Sequence, residues 1–90
     1  MAHVQFTKHL IRFFPKLRDG EFAGGTVADV VRSIDRAHPG LGGYLVDDAG
    51  ALRVHVNIFL DDTLVEDRER LSDRVPRGAT VSIFQALSGG

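Results

Sequence analysis

One amphipathic helix pattern, flanked on both sides by short strand patterns, constrains the fold of this 90-residue chain more than any other feature. Thr26 is a good N-cap, because its hydroxyl can accept a hydrogen bond from an otherwise unpaired amide of the first turn. Asp29 follows in that turn, where the helix dipole favours a carboxylate. Apolar residues then recur at helical spacing up to Ala37, and Pro39-Gly40 ends the pattern. The sequence therefore predicts one helix of about three turns with one buried face.

The strand patterns rest on alternating apolar and polar residues, the period-two signature of a half-buried strand. In the longest of them, Val54, Val56 and Ile58 share the face that we expect to be buried. The stretches 10–15 and 41–50 have no clean period, and we expect both to be irregular. The predicted strands cover residues 4–7, 21–23, 52–60, 63–65 and 80–84.

The order of these elements is strand, strand, helix, strand, short strand, strand. A single helix packed across a mixed sheet of four or five strands is the economical way to bury their apolar faces. That arrangement is the ubiquitin-like β-grasp, of the α+β class. A chain of this length supports one core and not two. We therefore expect one β-grasp domain over residues 1–84 and a flexible tail over residues 85–90.

Composition excludes several classes of function. The net charge is −1 with both signs interspersed, which argues against a nucleic-acid partner or a polybasic membrane contact. The absence of cysteine excludes disulfides, thiolate metal sites and cysteine nucleophiles. No apolar run approaches about 18 residues. Residues 1–5 lack the basic and apolar segments of a signal peptide, so we expect a cytoplasmic protein without membrane association.

Side chains that could catalyse a reaction are not grouped in the sequence. Asp61 and Asp62 are adjacent, but they separate two strand patterns, where Asp is a common turn former. No nucleophile and base form a recognisable pair. We therefore expect no bound metal, no bound cofactor and no enzymatic activity of its own. The four histidines lack the spacing of metal ligands: His3, His9, His38 and His55.

The C-terminal end is the exception. The last two residues are Gly89 and Gly90, a few positions after the final predicted strand. A glycine pair at a frayed end is weak evidence alone. In combination with a β-grasp pattern it becomes specific. Without a Cβ atom, both residues can enter a narrow partner channel and adopt backbone angles closed to other residues.

Three stretches resemble one known family, the bacterial and archaeal ubiquitin-like sulfur carriers of the molybdopterin-synthase, thiamine and cysteine-synthesis types. They are the helix opening at 26–31, the strand and turn at 56–62, and the ending at 78–90. The middle stretch is most similar to the cysteine-synthesis type. Family members often have an acidic residue near Ala79 and a proline near Gln85, and both are missing here, which leaves the branch of the family open.

The resemblance implies a carrier that other proteins act upon. A ubiquitin-activating-type adenylyltransferase would use ATP and magnesium to adenylate the Gly90 carboxylate, with Gly89 passing through its channel. Sulfur from a persulfide donor would then displace AMP and leave a C-terminal thiocarboxylate. This group would deliver sulfur to a biosynthetic acceptor enzyme.

A docking face for these partners can be predicted from the strand pattern. Phe84 is expected to point away from the core, and Phe59 and His55 share the outward face of the long strand. With Leu87 in the tail, they would form an exposed apolar patch of the kind found at interfaces. The alternative is that the stretch 10–15 folds over the two phenylalanines.

Two other functions share these features. A protein modifier would have the same fold, tail and adenylation, but would join Gly90 to lysines of target proteins. A β-grasp binding subunit would use the fold without any chemistry at the tail. Removal of Gly90 separates the binding subunit from the carrier and the modifier, because only a binding subunit would keep its activity.

Overall fold

A five-stranded mixed sheet with the order β2-β1-β5-β3-β4 forms the centre of the molecule in the computed structural model, which describes residues 1–85. The central strand, β5, is parallel to its neighbour β1, and the other neighbouring pairs are antiparallel. This arrangement confirms the predicted β-grasp fold. The elements are β1 (Ala2–Phe6), α1 (Lys8–Phe13), β2 (Gly20–Phe22), α2 (Val27–Ala37), α3 (Leu41–Leu45), β3 (Val56–Leu60), β4 (Thr63–Leu64) and β5 (Thr80–Gln85).

Helix α2 begins as the sequence predicts. The Thr26 hydroxyl accepts a hydrogen bond from the Asp29 amide at 3.2 Å, which satisfies one of the unpaired first-turn donors. A hydrogen bond with the Thr26 side chain, followed by the contact with Arg32, lowers the pKa of Asp29. The buried face of α2 packs on the inner face of the sheet and forms one core with it. Its central members are Val4, Val27, Val30, Ile34, Ile58, Val81 and Ile83.

The prediction that residues 10–15 and 41–50 are irregular is wrong in part, because each stretch overlaps a short helix. In α1 the Thr7 hydroxyl caps the first turn, and Leu10 is fully buried whereas Phe13 is 57% exposed. Because only one of the six residues of α1 is buried, the sequence of this helix shows no helical spacing of apolar residues. At the start of α3, the Asp35 carboxylate accepts hydrogen bonds from the backbone amides of Gly40 and Gly42. The turn predicted at the end of the second stretch is present, closed by Asp47.

The longest predicted strand is also too long. Strand β3 begins at Val56, and Val54 is 92% exposed instead of buried. The backbone turns before the strand, because the Val56 amide donates to the Arg53 carbonyl at 2.9 Å. Both of these residues also offer their carbonyls to the guanidinium of Arg68, which holds the turn closed. His55 therefore lies outside the sheet.

The helices of the described residues, 1–85, are all short. None of them has the length and apolar character that a membrane span requires.

Candidate functional site

The route to the C-terminal end of the chain passes through β5. This strand pairs with β1 along residues 80–83 and with β3 along residues 81–85. Gln85 is its last residue and pairs with Val56. The chain therefore approaches its end from a central strand of the sheet, which is held on both sides. The predicted site residues Leu87, Gly89 and Gly90 lie outside the described residues.

Phe59 and Phe84 come together on the outer face of the sheet, as the strand pattern predicts. Their ring centroids are 5.5 Å apart, and the rings are nearly perpendicular at 89°. Edge-to-face contact is a favourable geometry for an aromatic pair. Phe84 nevertheless remains 45% exposed, so the contact does not bury the pair. We call these two residues the aromatic patch; their role in partner binding stays a prediction.

Shallow depressions lie on both sides of the aromatic patch. One, of about 350 Å³, is lined by the patch together with Asp61, Asp62 and Ser82. The other, of about 320 Å³, includes Asp19 at its edge. Asp61 has a structural role, because its carboxylate accepts a hydrogen bond from the Thr80 amide at 3.0 Å and its φ of 55° belongs to the turn. The surroundings of the patch are therefore acidic.

His55 is not part of the aromatic patch, which corrects the sequence prediction. Its ring lies 6.2 Å from that of Tyr44, because the turn before β3 directs it towards α3. Phe13 and Phe14 contact the same tyrosine, with centroid distances of 5.9 and 5.8 Å. We call these four residues the Tyr44 cluster. The stretch 10–15 thus packs on Tyr44, and Phe84 stays accessible.

Tyr44 is the residue that the sequence did not reveal. Its hydroxyl is 2.6 Å from the side-chain nitrogen of Gln85, which donates the hydrogen bond. The Oε1 atom of Gln85 is buried and has no hydrogen-bond partner among the described residues. Tyr44 stands in the stretch 41–50, which has three glycines and no periodicity, so no pattern in the sequence indicates its contact with β5.

The described residues do not form a conventional reactive centre. Within 1–85, no group of three or more His, Asp or Glu side chains could hold a metal ion. The lowered pKa of Asp67 has a structural cause, since its carboxylate accepts hydrogen bonds from the Ser72 hydroxyl and from backbone amides of the same turn.

These features define a ubiquitin-fold protein with a diglycine after its last strand. The chain belongs to the ThiS family, whose sequence model matches residues 11–90. Family members are small carrier and modifier proteins and not catalysts, so the chain is not an enzyme.

Individual relatives agree with this assignment. The chain is 34% identical over 65 residues to small archaeal modifier protein 3 of Haloferax volcanii, covering 72% of this chain and 70% of that protein. A chain of the Amycolatopsis orientalis BexX/CysO complex matches with a TM-score of 0.85 and 24% identity over the full length of both. Mycobacterium tuberculosis CysO matches with a TM-score of 0.82 and 22% identity, covering 97% of this chain and 100% of that one. At such identities the two solved structures show the fold alone.

Proposed function

We propose that the protein is a sulfur carrier whose reacting group is the carboxylate of Gly90. The observation that carries the proposal is the combination of ThiS-family membership with a diglycine that ends five residues beyond a central, doubly paired strand. The strand provides a rigid base, and the glycines provide an end without side chains. The chain has no cysteine, so no side-chain thiol can carry the sulfur.

The chemistry begins with activation of a poor electrophile. An oxygen of the Gly90 carboxylate attacks the α-phosphate of ATP on a magnesium-dependent partner enzyme, and pyrophosphate leaves. The terminal sulfur of a persulfide donor then attacks the acyl carbon, and AMP leaves. A thiol cleaves the resulting acyl disulfide, which releases the thiocarboxylate and leaves a disulfide behind. The thiocarboxylate sulfur finally attacks an electrophilic carbon of the acceptor and displaces its leaving group. Water then cleaves the acyl–sulfur bond, so that the sulfur stays on the acceptor and the Gly90 carboxylate is restored.

The aromatic patch is the proposed docking face for the activating enzyme. Phe84 lies one residue before the last described position, so a partner that covers it is close to the start of the tail. Exposed neighbouring aromatics are typical anchors of interfaces. The carboxylates of Asp61 and Asp62 beside them suit a partner with an apolar pocket and a cationic rim. Leu87 is proposed to extend this contact.

A protein-modifier function is the second candidate, and the curated relative supports it. Small archaeal modifier protein 3 is named as a modifier and covers most of the chain. In that function the activated Gly90 carbonyl would be attacked by a lysine amine of a target protein, and an amide would form. Activation is common to both candidates, and only the acceptor differs.

Adenylation of the purified chain tests what both candidates share. The protein is incubated with ATP, magnesium and the ThiS-family activating enzyme of its host, and exchange of labelled pyrophosphate into ATP is followed. We expect exchange that depends on the carrier and disappears when Gly90 is deleted. Equal exchange with the deletion variant would refute an activated C-terminal carboxylate and favour a binding subunit.

A further inference from the structure

The Tyr44–Gln85 hydrogen bond joins two layers of the fold at the last described residue of β5. Gln85 projects to the inner side of the sheet, because its neighbour Phe84 is on the outer face and successive side chains of a strand alternate. The hydroxyl of Tyr44, in α3, meets it there at 2.6 Å. The contact spans 41 positions in sequence and ties the end of the strand to a separate element.

Tyr44 is itself held in place. Phe13 and Phe14 contact its ring on the side of α1, and His55 contacts it on the side of β3. The backbone of α3 is fixed as well, since the Gly43 carbonyl accepts a hydrogen bond from Arg53 at 2.9 Å. A side chain restrained by packing loses little entropy when its hydroxyl forms a bond. The geometry is that of a preorganised anchor.

This anchor lies at Gln85, the last described residue of β5, which is five positions before Gly90. Strand ends open more readily than strand centres, and Val56–Gln85 is the last pair between β3 and β5 among the described residues. Five residues beyond Gln85 reach at most about 17 Å, even when fully extended. The position of Gln85 therefore limits how far Gly90 can reach into a partner's active site.

We infer that Tyr44 is a positioning residue for the reacting C-terminus, acting through its hydrogen bond to Gln85, the residue from which the last five residues continue. The inference rests on the proposed function and adds to it a residue that lies outside the aromatic patch. Docking and positioning are then separate: the outer face of the sheet binds the partner, and the Tyr44 cluster on the inner side positions the C-terminus.

Kinetic constants of variants distinguish the two tasks. Tyr44→Phe removes only the hydroxyl, and Gln85→Leu removes its partner. Each variant should lower kcat of carrier activation about fivefold, the equivalent of one neutral hydrogen bond of about 1 kcal/mol, while KM is unchanged. The double variant should lose no more than either single one, because both changes remove the same bond. Hydrogen exchange of the Val56–Gln85 pair should become faster in all three.

Ser33→Ala is the matched control for stability. It also deletes a hydroxyl, but on α2, where the group donates to the Ala23 carbonyl at 2.7 Å and accepts a longer hydrogen bond from Arg36 at 3.4 Å. Thermal unfolding should show comparable losses for this variant and Tyr44→Phe, with kcat reduced only in the latter. Wild-type kcat for Tyr44→Phe, or a rise in KM alone, would overturn the inference. A wild-type protein that the activating enzyme does not adenylate would instead refute the proposed function, and the inference with it.

Discussion

The guanidinium of Arg68 holds the start of β3, and its loss should destabilise the whole sheet. It donates to the Asn57 side chain at 3.0 Å and to the carbonyls of Arg53 and Val56 at 2.7 and 2.9 Å. Arg68→Met retains most of the side-chain stem and deletes these three bonds. The carbonyls of Arg53 and Val56 then lose the guanidinium as a donor, and the Arg53 carbonyl keeps the hydrogen bond from the Val56 amide.

The loss in the free energy of unfolding can be estimated from the individual hydrogen bonds. A hydrogen bond from a charged donor contributes about 1.5–3 kcal/mol, but partial exposure lets water replace some of it, so about 1 kcal/mol per bond is a reasonable value. Three bonds give about 3 kcal/mol, a large part of the roughly 5–15 kcal/mol by which a domain is stable. With a urea m-value of about 1.5 kcal/mol per molar, the unfolding midpoint of Arg68→Met should fall by about 2 M.

Arg70→Met provides the comparison in the same loop. Arg70 is exposed, and within residues 1–85 its side chain forms no hydrogen bond or ion pair. Its replacement should change the unfolding free energy by less than about 0.5 kcal/mol. Urea unfolding followed by far-ultraviolet circular dichroism measures both variants. Equal midpoints for the two would show that the Arg68 bonds do not stabilise the start of β3.

Three further predictions concern the patch, acid stability and a close backbone contact. Phe84→Ser should raise KM for activation severalfold in initial-rate assays. It should lower the free energy of unfolding by only about 1 kcal/mol in urea, since the ring is already 45% exposed. An unchanged KM would rule the patch out as docking face. The Ser72 hydroxyl and backbone amides lower the pKa of Asp67 below its ordinary 3.8, so the ionised carboxylate stabilises the fold above that pH, and this stabilisation is lost as the pH falls through the folded-state pKa. The difference in unfolding free energy between wild type and Asp67→Asn, measured by urea unfolding, should therefore shrink from about pH 6 to about pH 3. A constant difference would contradict this. Gly24→Ala should lower the free energy of unfolding by more than about 2 kcal/mol in the same assay, because its Cβ would lie 2.6 Å from a backbone nitrogen of α2. Gly25→Ala is the control, since a Cβ there meets open space. Equal losses for the two variants would argue against the contact.

Parts of the fold in which several local signals coincide could be predicted from the sequence. At α2, the cap Thr26, the helical spacing of apolar residues and the terminating Pro39-Gly40 all indicate the same boundaries, and the structure confirms them. The final strand is predicted as clearly, because Val81 and Ile83 alternate with the polar residues Thr80 and Ser82. The adjacency of the two patch phenylalanines followed from the same alternation.

The rest depends on contacts between distant residues. Helices α1 and α3 have six and five residues, too short to be stable alone, and packing around Tyr44 holds them. His55 was misplaced because alternation continues from Arg53 into β3, although Arg68, more than ten positions later, turns the backbone before the strand begins. Only the folded chain brings such groups together.

Intact mass spectrometry of the protein purified from its own host tests the central claim most directly, with a Gly90-deleted variant expressed alongside. A sulfur carrier should give a fraction that is heavier by the exchange of one oxygen for one sulfur, on a chain ending at Gly90, and the deletion variant should lack it. Ladders of heavier conjugates without this fraction would indicate a protein modifier. Only the unmodified carboxylate, even after incubation with ATP, a persulfide donor and the activating enzyme, would contradict the proposed carrier function.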